Sequence, residues 1–133
     1  MTGTLPATKW NKFDVARSLF ALIKKDLGLD RISAQTPILH DALFKLSQEY
    51  PELLGEFNFD QRGDFPYSHE FNGQLVAQEM AGHLSCLSPD FVTYLILPKA
   101  MTNFEKYHAK LFSPEEHEVL AKMAKRFSEL LKP

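Results

Sequence analysis

The sequence predicts an α+β fold, mostly helical, with about five helices and a small antiparallel β-hairpin or sheet. Three observations carry that expectation. Apolar residues recur at three- and four-residue intervals in separate stretches that open on a capping residue or stop at Gly or Pro. Two short apolar runs, 84–87 and 91–97, are split by Ser88-Pro89-Asp90 and read as a hairpin. At 133 residues, with 44% apolar and 24% charged content, the chain has the size and composition of one globular domain.

Taken in order, residues 1–12 show little periodicity and read as a flexible N-terminal arm, with a single domain over 13–133. Val15, Leu19, Leu22, Ile23 and Leu27 make a helical stripe over 13–27 that Gly28 stops, with Lys24 and Lys25 at its negative end. Thr36-Pro37 reads as cap and first residue of a helix over 36–50, with Leu39, Ala42, Leu43 and Leu46 on one face. Glu56 to Phe59 alternates as a short strand would, and is expected to join the hairpin as a third strand. Ser68 caps a helix over 68–83 whose apolar face is read as Phe71, Leu75, Val76, Met80 and Leu84, with Gly82 at its end. A helix over 103–112 follows Pro98. Ser113-Pro114-Glu115-Glu116 is a capping box opening the last helix, 114–131. The predicted core draws on Leu19, Ile23, Leu43, Leu46, Leu75, Met80, Leu95, Leu120, Met123 and Phe127.

A helix that runs into a hairpin is the second half of a winged helix, so the expected architecture is winged-helix-like. Charge qualifies what such a frame could do. Net charge is −2, but residues 1–31 carry six Lys/Arg against three acids, while 32–90 carry only Lys45 and Arg62 against nine. The helix a DNA reader would place in the groove therefore lies in the acidic part, has no Lys or Arg, and carries Glu70 and Glu79. Asn72, Gln74 and Gln78 could reach bases, but without phosphate anchors beside them.

Catalytic and metal chemistry find little support. His83 and Cys86 are three residues apart, but two ligands do not make a site, and His69-Glu70 begins an H-E-x-x-H motif that fails at Gly73. Cys86 is the only cysteine, so no internal disulfide can form, and on a hairpin strand it reads as a small apolar residue. There is no G-x-S-x-G elbow and no phosphate-binding glycine loop. Arg62-Gly63-Asp64 reads as a turn. No stretch is long and apolar enough to span a bilayer, and no signal-peptide pattern opens the chain, so a cytoplasmic protein without membrane contact or cofactor is expected.

The run Phe57-Asn58-Phe59, Gly63, Pro66-Tyr67-Ser68, the amphipathic helix and the hairpin up to Leu97 resemble small bacterial and phage domains of YwgA type and the related Panacea (SocA-like) antitoxin domains. The likeness covers residues 36–97, and departs from the usual adjacent Gly-Pro pair because Asp64 and Phe65 intervene. It implies a non-enzymatic domain that binds other proteins or, in some cases, DNA, and brings no catalytic residues. The expected function is accordingly a protein-interaction or regulatory module of antitoxin-like type, with a partner surface at Phe65, Tyr67, His69, Asn72, Gln78 and Glu79. A winged-helix DNA-binding regulator ranks second and an enzyme of unrecognised type third. The last helix is also a candidate homodimer element, through Phe127, Leu130 and Leu131.

Overall fold

Local signals open and close most of the elements. The computed structural model describes residues 10–132. Helix α1 (Lys12–Leu27) starts at Asn11, whose side chain accepts the N–H groups of Phe13 and Asp14 while Asp14 reaches back to Asn11 N. It ends at Gly28 in the left-handed region at φ 66°, where a Cβ would be strained. Of the arm expected over 1–12, residues 1–9 lie outside the described residues, and 10–12 are part of the domain instead. Trp10 already belongs to the domain, stacked on Phe112 at 5.7 Å and donating its Nε1–H to Glu116 at 2.9 Å.

Strand β1 (Arg31–Ser33) precedes α2 (Thr36–Glu49). Thr36 is the first helical residue of α2 rather than its cap; Gln35 occupies the cap without a side-chain bond. Pro37 still sits where its missing N–H costs nothing. A single turn, α3 (Pro51–Leu54), leads to the loop that carries Phe57 and Phe59. The strand expected at Glu56–Phe59 does not form, and the loop makes only an isolated bridge between Asp60 and Tyr67. The alternation there has another use. Phe57 packs edge-on against Phe13 and Phe71, whereas Phe59 packs on Phe44.

Ser68 caps α4 (His69–Met80) through Phe71 N, as expected, and Gly82 turns the chain at φ 79° into β2 (Leu84–Cys86). β3 (Thr93–Ile96) completes the predicted hairpin. The third strand of the sheet is β1, on the far side of β3, giving an antiparallel order β1-β3-β2. The helix expected at 103–112 begins earlier, as α5 (Pro98–Asn103), with Pro98 at its first position after extended Leu97. The backbone then widens into a π-turn (Phe104–His108) and tightens into a 3-10 turn (Ala109–Leu111). This winding brings both Phe104 and Phe112 against His117, at 6.3 and 5.9 Å. The predicted capping box of α6 (Pro114–Leu130) is present, with Ser113 Oγ accepting from Glu116 N and Glu116 accepting from Ser113 N.

α1 is buried along most of its circumference and packs against α6, α4 and α5. A helix enclosed in this way needs apolar residues off its main stripe, and Ala16, Phe20 and Ala21 supply them. The expected core holds with two exceptions. Leu95 is half-buried because its strand neighbours Tyr94 and Ile96 take the inward face. Met80 is 83% exposed. Phe127 and Leu131 lie inside the chain's own core and Leu130 packs partly against it, which removes the apolar surface that suggested a dimer through α6. Among the described residues, no helix is long and apolar enough to cross a membrane.

Candidate functional site

The face of α4 that meets solvent is set by where its polar residues bond. Phe71, Leu75 and Gln78 are buried, at i, i+4 and i+7. Gln78 belongs to this inner row because its Oε1 meets His83 Nδ1 at 2.6 Å; His83 Nε2 in turn receives Asn103 Nδ2 at 2.7 Å. With Gln78 turned inward, Val76 and Met80 rotate outward and are 47% and 83% exposed, beside exposed Gly73 and Ala77. The outer face of α4 is thus apolar, small and without a positive charge. His69 stands on the same face one turn earlier, since residues 69, 73, 76 and 80 share a helical row.

The two acids of α4 are tied to the rest of the chain. Glu70 takes Lys12 Nζ and the backbone N–H of Asn58, and Lys12 lies 5.4 Å from the ring centres of both Phe13 and Phe57. Burial pushes the Glu70 carboxyl up, but the bonds from Lys12 and Asn58 outweigh it and hold it below its ordinary value. Glu79 accepts the Tyr94 hydroxyl at 3.2 Å.

The turn before α4 is an aromatic assembly around His40, which is fully buried on α2. Tyr67 stacks on its ring at 4.5 Å, Phe71 meets it edge-on at 5.2 Å, and Phe65 lies 6.3 Å away. Ser68 N donates to His40 Nδ1 at 3.0 Å, so the ring proton sits on Nε2. Burial lowers the His40 pKa to about 4, which keeps the ring neutral. Tyr67 and His69 also line a shallow surface cleft of about 450 Å³ with the Asp60–Arg62 pair. The Arg62 hydrogen bond holds the Asp60 carboxyl down at about 2.

The structure therefore divides the sequence-predicted partner residues. Tyr67 and His69 share the cleft, and half-buried Phe65 borders it through the His40 stack. Asn72 and Glu79 lie along the flank of α4. Gln78 is a correction: it is buried and bonded to His83, so no partner can reach it. The sequence places Met80 in the core and Val76 on the apolar face of this helix, and both are exposed large hydrophobic residues instead. The signal for this was the i, i+4, i+7 row through Gln78, whose polarity disguised it.

The chemical capacity of the region is limited. Burial, then the Glu79 and Asp90 carboxylates, raise the Cys86 thiol above its ordinary value, the opposite of an activated nucleophile. Burial, then the charges of His108, Lys99 and Arg17, lower the pKa of His83, whose two ring nitrogens are both already bonded. No group of three or more His, Cys, Asp or Glu is close enough to hold a metal ion among the described residues. No protein family, curated protein or solved structure matches this chain.

Proposed function

We propose that this domain is a non-enzymatic protein-interaction module of regulatory, antitoxin-like type, and that the outer face of α4 receives the partner. The observation that carries this reading is the exposed apolar row Gly73, Val76, Ala77 and Met80, with His69, one turn earlier on the same face, 6.3 Å from the Tyr67 ring. Contiguous exposed apolar surface of this kind marks protein contact sites, and Met adapts to partner surfaces better than branched residues do. The winged-helix frame belongs to the same reading: α4 delivers the chain into the β2–β3 hairpin, and β1 borders it as a third strand.

DNA binding ranks behind it on electrostatic grounds. The basic residues of α1 that could reach phosphates in place of α4 are paired within the chain. Lys12 bonds Glu70, Arg17 contacts Asp14 and His108, Lys24 bonds Asp30 at 2.6 Å, and Lys25 lies 3.8 Å from Glu105. Lys9 lies outside the described residues. Counterion release therefore has few free cations to draw on near α4.

The test is a pull-down from the native host with wild-type protein and the Val76→Lys and Met80→Lys variants, alongside anisotropy with mixed-sequence duplex DNA at low and physiological salt. The expected result is a specific protein retained by wild type and lost by both variants, whose thermal melts stay unchanged. Submicromolar DNA binding that weakens steeply with salt, and disappears when Lys24 and Lys25 are reversed to Glu, would overturn the reading in favour of a DNA-binding regulator.

A further inference from the structure

A second feature lies at the far side of the sheet, where the ladder ends on β1. The bonds from Ile96 N to Asp30 O (2.7 Å) and from Ala34 N to Val92 O (2.8 Å) set its parity. Asp30, Ile32 and Ala34 turn their backbone groups toward β3, so those of Arg31 and Ser33 point off the open edge. Among the described residues no strand pairs there. Beside this edge opens a cleft of about 520 Å³ with Ile32, Ile38 and Leu131 among its apolar lining. Leu29 and Val92, 40% and 37% exposed, also line it. Among the described residues, Arg31 and Lys132 are the charged ones that line it, and no Asp or Glu side chain does.

We propose that the open edge of β1 and this cleft form a second docking site, which takes an extended acidic peptide segment of a protein partner as a fourth strand. The free N–H and C=O groups of Arg31 and Ser33 supply the main-chain bonds of such a strand. Alternate residues of the peptide turn to the apolar cleft, and those between them, opposite Arg31, are Asp or Glu. A charge on a short edge strand also guards against self-pairing, but that role leaves the apolar cleft beside it without a purpose. A second copy of this chain fits the site poorly, because it brings its own Arg31 and Lys132 to the same place. The proposal is independent of the α4 reading, since the two surfaces share no residue.

The experiment selects displayed randomised short peptides on the full chain, then uses the selected peptide, labelled, as the anisotropy probe. The expected consensus alternates apolar and acidic residues, and binding weakens with salt. Arg31→Glu weakens it about tenfold or more, as loss and reversal of a paired charge does, and shifts a repeated selection toward basic peptides. Ser33→Pro removes an N–H that makes no ladder bond, and weakens binding similarly. Hydrogen exchange at the Arg31 and Ser33 amides slows when the peptide is present. Met80→Lys leaves peptide binding unchanged, which separates this site from the α4 face. The proposal is overturned by the absence of any enriched peptide, by a consensus without acids, or by binding that ignores Arg31→Glu; the Arg31 comparison decides alone if Ser33→Pro fails to fold. Self-association of the unliganded chain that Ser33→Pro abolishes also overturns it, by giving the edge to a second copy.

Discussion

His40 Nδ1 accepts the backbone N–H of Ser68 at 3.0 Å, and Ser68 Oγ in turn accepts the N–H of Phe71. A buried side chain of α2 thus holds in place the residue that caps α4, and the aromatic turn stacks on the same imidazole. The start of the proposed partner helix depends on a ring that must stay neutral.

The first prediction follows from that dependence. Burial lowers His40 from 6.5 to about 4 in the folded chain, so between those values the unfolded chain binds a proton that the folded chain does not. Stability is full above about pH 6.5 and is lost as pH falls toward 4, by about 3 kcal/mol for this residue. His83 and His108 are also lowered, with burial the main cause, and add losses of the same sign. Urea midpoints measured across this range should fall as pH falls. His40→Leu should be less stable at neutral pH, because Ser68 N–H is left without a partner, by about 1–3 kcal/mol. Its pH dependence should be shallower. An unchanged slope in the variant would show that His40 is not the titrating group.

The phase of α4 gives a second, paired prediction. Leu75→Ala, inside the inner row, should cost about 2–5 kcal/mol. Met80→Ala, on the outer face, should stay within about 0.5 kcal/mol of wild type. Equal costs in thermal or urea melts would mean that the helix is rotated from the orientation described.

Glu116 has two tasks at once: one carboxylate oxygen closes the capping box on Ser113 N at 2.8 Å and the other accepts Trp10 Nε1–H at 2.9 Å. Ser113→Ala should cost about 0.5–2 kcal/mol through loss of the cap alone. Glu116→Ala should cost more and also release the indole. Since Trp10 is the only tryptophan, its emission reports this directly. A red shift is expected for Glu116→Ala and none for Ser113→Ala.

The Lys12–Glu70 pair joins α1 to α4 at partly buried positions. A double-mutant cycle with Lys12→Met and Glu70→Gln should give a coupling of about 1 kcal/mol, at the upper end for such pairs because Lys12 also faces two rings. Since the Glu70 carboxyl is lowered, the coupling should be present at neutral pH and fade as pH falls through its folded-state value. A cycle that sums to zero at neutral pH would mean that the two side chains act independently.

Much of this fold was determined by the sequence alone, because the signals concerned are local. Gly28 ends α1, Ser68 opens α4, and Ser113 with Glu116 opens α6, each through bonds within a few residues. The hairpin of β2 and β3 is likewise encoded in a short span and formed where expected. The absence of Lys and Arg from α4 was legible as well, and it directed attention to a protein partner. Tertiary structure decided what depends on distant neighbours. Three residues, Arg31–Ser33, carry too little periodicity to announce a strand, and they become one because β3 offers them its free edge. Gln78 is polar and would face water in an isolated helix, yet His83, itself held by Asn103, meets its Oε1 inside. With that bond made inside, Gln78 joins Phe71 and Leu75 on the inner row and Val76 and Met80 are left at the surface, because a polar side chain is buried at low cost where a hydrogen bond meets it.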